Sequence, residues 1–94
     1  MQFPLGQVVA TPGALAALEA ANDDGGIYLT RHAHNDWGEI AKGDEGLNDQ
    51  ALVDGGRLLS VYRLKDNTKI WIITEAADED GNRLATTILL PSDY

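Results

Sequence analysis

The densest group of reactive side chains is Arg31-His32-Ala33-His34-Asn35-Asp36-Trp37-Gly38-Glu39. On an extended segment, residues 32, 34 and 36 share one side. Two imidazoles and a carboxylate placed that way form a ligand set suited to Zn, Ni or Fe. His32, His34 and Asp36 are therefore the candidate metal ligands, weighed against the plainer reading of a hydrogen-bonded histidine in a surface loop. The same residues offer acid–base chemistry. A histidine titrates near neutrality by default. With Asp36 one helical turn on, His32 could orient a water or activate a hydroxyl such as that of Thr30. His32 and Asp36 are the candidate catalytic pair, and a purely structural His–Asp pair is the competing explanation.

The rest of the chain supplies little that would complete a reaction. It contains no G-x-S-x-G nucleophile turn and no phosphate-cradling loop, and no motif requires a cofactor. Gly25-Gly26 and Gly55-Gly56 sit better at helix ends than around a phosphate. Recognition is the other possibility. Trp37 in a polar stretch is either an anchor folded back onto a sheet or an exposed binding residue, since Trp is enriched at interaction hot spots. The acidic run Glu75-Ala76-Ala77-Asp78-Glu79-Asp80 is either a solvated loop or a contact for a basic partner. Trp37, Glu75, Asp78, Glu79 and Asp80 are thus the candidate partner-binding residues.

Charge narrows the choice of partner, beside the plainer reading that negative charge merely keeps a small protein soluble. The 94 residues carry 15 Asp+Glu against 7 Lys+Arg, a net charge of −8. Binding a phosphate backbone requires cations that displace counterions, so direct nucleic-acid binding is disfavoured. An acidic surface can instead attract a basic, nucleic-acid-binding protein. The chain has no cysteine, which excludes disulfides, thiolate metal sites and cysteine nucleophiles. That absence favours a reducing cytoplasm. Met1-Gln2-Phe3-Pro4 shows no basic leader, and runs such as Ile70-Trp71-Ile72-Ile73 are far too short to span a bilayer. The expectation is a cytoplasmic protein forming a single domain over residues 1–94, with no membrane partner.

The elements that must position these groups follow from periodicity. Gln7-Val8-Val9-Ala10 reads as a short strand. Thr11-Pro12 opens a helix, with Thr as cap and Pro at the first helical position. Leu15 and Leu18 are expected on its packed face. Residues 27–32 suggest a second helical turn or two, and residues 35–46 irregular surface. Residues 47–54 suggest a third helix, with Leu47 and Ala51 inward and Asn48 facing water. Residues 57–64, 69–74 and 84–90 are β-branched and aromatic-rich strands joined by turns at Asp66-Asn67 and Asp80-Gly81-Asn82. The expected fold is α+β: a short N-terminal strand, two to three short helices, then a three-stranded antiparallel meander with helices on one face. Ile70 and Ile72 point one way and Trp71 and Ile73 the other, with Trp71 read as core. The second face then needs cover from loops, from the Gly/Asp-rich segment or from another copy of the chain, which leaves a homodimer through the sheet face as one of the expected arrangements.

Two resemblances add to this reading. His32-x-His34-x-Asp36 resembles the opening of the metallo-β-lactamase superfamily motif over five residues, with Trp37 where that motif has a histidine. More extensively, Leu5–Ala14, Arg31-His32 with Asp36-Trp37-Gly38, Gly56–Ser60, Lys69–Ala76 and Ala85–Pro91 together resemble a family of small bacterial "plasmid-related" proteins. This likeness implies a single-domain protein of bacteria and mobile elements, without assigning an activity. It singles out His32, Asp36, Trp37 and Gly38 as residues for any shared function. In the family pattern the stretch between His32 and Asp36 is small and ends in Gly, so His34 departs from it. The turn is also shorter, so Glu75–Arg83 reads as an extension.

Overall fold

A computed structural model describes residues 3–41 and 43–94. Met1 and Gln2, at the start of the stretch read for a leader, and Lys42, within the stretch read as irregular, lie outside the described residues. The element order is β1 (Gln7–Ala10), α1 (Pro12–Ala20), α2 (Gly25–Ala33), α3 (Asp44–Asp54), β2 (Leu58–Arg63), β3 (Lys69–Thr74) and β4 (Ala85–Leu89), then a 3-10 turn at Pro91–Asp93. The fold is α+β. Strands β2, β3 and β4 form the antiparallel meander, and β1 joins beside β4 in parallel, giving the order β1-β4-β3-β2. Among the described residues, no helix is long and apolar enough to cross a membrane.

Local chemistry accounts for the boundaries. The Thr11 hydroxyl accepts from the Ala14 N–H, and Pro12 takes the first helical position. The Asp24 carboxylate caps α2 by accepting from the Gly26 N–H. Gly25-Gly26 therefore opens α2 and does not terminate α1, and α2 extends to nine residues, beyond the turn or two expected. Gly55, with φ 84°, ends α3 in the left-handed conformation. The first hairpin turns at Asn67 (φ 76°), with Asp66 accepting from the Thr68 N–H.

Sheet register decides the faces. Residues Leu58, Ser60 and Tyr62 of β2 stand beside Thr74, Ile72 and Ile70 of β3, and Ile72 and Thr74 stand beside Ile88 and Thr86 of β4. The helices cover this face. Ala14, Leu18, Ala21 and Tyr28 pack on Tyr62, Ile70, Ile72 and Ile88. Fully burying such an aliphatic contributes about 1.5–3 kcal/mol, so the Ile70/Ile72 pair dictates which side the helices occupy. A smaller cluster joins Trp37, Ala51 and Leu58, with Phe3, Ile40 and Leu52 against it.

Four helix and strand positions differ from the sequence reading. Leu15 is 57% exposed, because Ala14 and Leu18, four residues apart, take the inward stripe of α1. On α3, Leu47 is 68% exposed and Asn48 is 5% exposed, the reverse of the expectation. The cause is polar: the Asn48 side chain donates to the Leu59 carbonyl (2.7 Å) and accepts from the Leu59 N–H (3.1 Å), closing the open edge of β2. Trp71 is half-buried on the second sheet face and packs edge-on against Tyr94, so it lies outside the helix-covered core.

Candidate functional site

Residues 31–39 do not form the extended segment that a ligand set at 32, 34 and 36 requires. Helix α2 runs through His32 to Ala33, and residues two apart on a helix project to different sides. The chain then reverses at Asn35 (φ 67°). Asp36 folds back onto Arg31, with Nε–Oδ2 at 2.7 Å, and both side chains remain about half exposed. The Arg31 hydrogen bond holds the Asp36 carboxyl below its ordinary range. Asp36 thus pairs with Arg31 and has no bond to His32. His34 is the exposed C-cap of α2, its Nδ1 bonded to the Thr30 carbonyl at 2.8 Å. Among the described residues, no three His, Cys, Asp or Glu side chains come together to hold a metal ion.

His32 has no exposed surface. Its Nδ1 lies 2.5 Å from Ser60 Oγ and its Nε2 lies 2.8 Å from Thr74 Oγ1. Thr74 Oγ1 is 2.7 Å from Thr86 Oγ1, and the Thr86 hydroxyl donates to the Leu5 carbonyl at 2.7 Å. The direction of this chain follows from its last member. A carbonyl only accepts, so Thr86 donates outward and accepts from Thr74. Thr74 in turn accepts from His32 Nε2–H, and the remaining lone pair on Nδ1 accepts from the Ser60 hydroxyl. His32 is therefore neutral and in the Nε2–H tautomer. Burial pushes its pKa down to about 4, and the nearby Arg83 charge acts in the same direction.

A serine hydroxyl against an imidazole resembles an activated nucleophile. Here Ser60, His32, Thr74 and Thr86 are all fully buried, and the third member is a hydroxyl where a triad has a carboxylate. The ring edges also meet Phe3 and Trp37 at centroid distances of 5.2 and 5.6 Å. The arrangement ties β2, β3 and β4 to the segment before β1, and gives substrate no path to the ring. Trp37 is 7% exposed, folded onto the sheet edge. The Trp37 carbonyl accepts from Val61 N–H and the Val61 carbonyl accepts from Glu39 N–H. Gly38 makes this approach possible: at φ 72°, a Cβ there would sit 2.0 Å from the Val61 carbonyl oxygen.

The acidic residues lie elsewhere and on the surface. Glu75, Asp78, Glu79 and Asp80 are all exposed. Asp78 also builds the loop, accepting from the Asp80 and Asn82 N–H groups at 2.9 Å each. Between this loop and the end of α3 is a cleft of about 350 Å³ whose lining includes Phe3, Asp54, Asp78, Glu79 and Arg83. Arg83 is 6% exposed and donates to the carbonyls of Gly56 (2.6 Å), Glu75 (2.9 Å) and Ala51 (3.2 Å). The α3 C-terminus stabilises this buried cation through its dipole, while burial lowers the Arg83 pKa. The sequence reading did not identify Asp54 or Arg83. A lone arginine closing an acidic run was the available signal. Among the described residues, only Arg31–Asp36 and Arg63–Glu39 form ion pairs.

No protein-family model matches this chain, and neither a curated protein nor a solved structure matches it.

Proposed function

We propose that this protein is a small acidic interaction and regulatory domain that docks a cationic segment of another protein at the cleft between α3 and the 75–83 loop. One observation carries the reading: Asp54 from α3 meets Asp78 and Glu79 from the loop around a single cleft. The loop is held in place by Arg83, whose guanidinium is committed to backbone carbonyls and makes no direct ion pair with a rim carboxylate, Asp54 acting on it only as a longer-range charge. Converging carboxylates raise the local concentration of a cationic partner and steer its approach. In the mobile-element setting that the family resemblance implies, the fitting partner is a basic, nucleic-acid-binding protein. Enzymatic use of His32 finds no support in a ring with no exposed surface.

The test is calorimetric titration with a lysine- and arginine-rich peptide. One variant carries Asp54→Asn, Asp78→Asn and Glu79→Gln, which keep the side-chain oxygens that cap the turns. A control carries Glu19→Gln, Glu45→Gln and Asp49→Asn, with the same change in net charge. The cleft variant is expected to lose at least about tenfold more affinity than the control, some 1.4 kcal/mol. Equal losses would mean that overall charge alone attracts the peptide, and the cleft reading would fail.

A further inference from the structure

The walls around the buried His32 ring differ in strength. Strands β2 and β3 meet the ring with the Ser60 and Thr74 hydroxyls, inside the paired sheet. Trp37 closes another side, and its segment is tied to Val61 by two backbone hydrogen bonds, at Trp37 and at Glu39. Phe3 closes a third side, edge-on at a centroid distance of 5.2 Å. Its segment is held far more lightly. Among the described residues, no backbone-to-backbone hydrogen bond involves residues 3–6. The Thr86 hydroxyl ties them down at the Leu5 carbonyl, and Phe3 stacks on Trp37 at 6.1 Å. Pro4 and Gly6 are exposed, and Gly6, at φ 66°, lies immediately before β1. We propose that residues 3–6 are a strap hinged at Gly6, which lifts when His32 takes up a proton while the sheet beneath stays paired.

The neutral ring satisfies both of its neighbours: Nε2–H donates to Thr74 and Nδ1 accepts from Ser60. A proton on Nδ1 makes that nitrogen a donor, and the Ser60 hydroxyl loses its acceptor. The new cation has no carboxylate among its hydrogen-bond partners. On α2, Arg31 is paired with Asp36, and His34 turns to the Thr30 carbonyl. On β2, the Tyr62 hydroxyl is committed to the Asp36 carbonyl. From α3, Asp54 acts on Arg83 and not on the ring. Arg83, ahead of β4, adds a like charge to the ring and lies 5.8 Å from the Phe3 ring. A buried charge without a partner is costly, and hydration relieves it. Water enters with the least loss at Phe3, where one side-chain hydrogen bond breaks and the Leu5 carbonyl is rehydrated. Entry past Trp37 breaks backbone pairs with β2, and entry through the sheet breaks the strand ladder. Lightly bonded segments of this kind open without the rest of a fold. Phe3 and Pro4 also line the acidic cleft, so lifting the strap removes part of one cleft wall. That consequence rests on the docking reading, whereas the strap itself does not.

Phe3 is the single phenylalanine of the chain, so fluorophenylalanine incorporated during expression labels the strap alone. The test is a pH titration of the fluorine resonance in the full chain without any peptide, with the His32 ring and the backbone amides followed by NMR. As the pH falls, the fluorine resonance is expected to move from its packed position towards that of free fluorophenylalanine, with the same midpoint as the His32 ring. The β2 and β3 amides should keep their exchange protection through that transition. His32→Gln retains every carboxylate and should keep the strap closed over the same range. Phe3→Ala should raise the proton affinity of His32 at least about tenfold, one pH unit. Circular dichroism checks that both variants fold. A fluorine resonance that stays in place while the ring titrates would overturn the proposal, as would one that moves equally in His32→Gln. Loss of sheet protection at the same pH would also overturn it, since the opening would then be global. If His32→Gln does not fold, the wild-type midpoints must still coincide and Phe3→Ala must still raise the affinity; an unchanged affinity would refute the strap.

Discussion

Lowering the pH from 7.5 to 4.5 should destabilise this protein through His32. In the folded state the ring is neutral, because both nitrogens are committed to hydroxyls and burial disfavours the imidazolium. In the unfolded chain the ring takes up a proton near the ordinary value of 6.5. The stabilising contribution is therefore complete above 6.5. It falls as the pH drops from 6.5 towards about 4, where the folded ring also protonates. The shift spans roughly 2.5 pH units, each worth about 1.4 kcal/mol, so about 3 kcal/mol is at stake. A domain of this length has roughly 5–15 kcal/mol in total, so the loss is large.

Urea unfolding followed by circular dichroism at half-unit pH steps measures this loss directly. The depressed carboxyls of Asp23, Asp36, Asp66 and Asp93 give up their contributions only below the ordinary carboxylate range, which separates them from the His32 window. The His32→Gln variant should lose about 1–3 kcal/mol at neutral pH, from unsatisfied buried hydroxyls, and should have a flatter profile between pH 6.5 and 4.5. A wild type whose stability is flat across that interval would refute the reasoning, as would a variant that keeps the wild-type slope. So would an NMR titration placing the His32 ring near 6.5.

Other perturbations have equally definite outcomes. Gly38→Ala places a methyl group 2.0 Å from the Val61 carbonyl oxygen at a positive φ, and should cost more than about 2 kcal/mol in denaturant unfolding. Asn48→Ala uncovers the Leu59 N–H and carbonyl, with an expected cost of about 1–3 kcal/mol and faster amide exchange at Leu59. Arg83→Met removes the cation that helps depress His32 and should raise the His32 pKa in an NMR titration. Arg31→Ala breaks an exposed ion pair and should change stability by less than about 1 kcal/mol.

The meander and the first helix were legible in the sequence because their signals are local: β-branched runs of strand length, paired turn formers, and Thr-Pro at a helix start. The faces of α3 were not legible. Asn48 is a polar residue whose burial depends on Leu59, eleven positions away, presenting an unpaired backbone edge, and no helical periodicity encodes that. His32 and Asp36 were weighed as a pair from spacing alone, and the fold gives them different partners. Their separation depends on α2 continuing through Ala33, and on Arg31 competing for the carboxylate. The buried hydroxyls Ser60, Thr74 and Thr86 gave no warning either. In strands, serine and threonine suit an exposed face as well as a buried one, and only a histidine arriving from another element decides between them.

The polar chain at the centre of the fold bears on what the sheet displays on its outer side. A one-residue slip of β3 against β2 or β4 would turn Ile70 and Ile72 away from the helices, and it would also leave His32, Ser60 or Thr86 without its partner in a buried site. A directional chain of hydrogen bonds therefore adds to packing in fixing register. Register in turn sets what the outer face displays. With β3 held at Ile72 against Ser60 and Ile88, Trp71 and Ile73 lie on the opposite side, Lys69 stands opposite Arg63, and Glu75 is delivered to the base of the acidic loop. The test of this connection is Thr74→Val, which preserves side-chain shape while cutting the chain at its middle. The variant should unfold more easily and shift the His32 ring resonances. If register is the quantity being protected, the cross-strand amide contacts of Lys69 and Trp71 should weaken along with it. Intact contacts in a merely less stable protein would confine the histidine chain to stability and separate it from the surfaces outside.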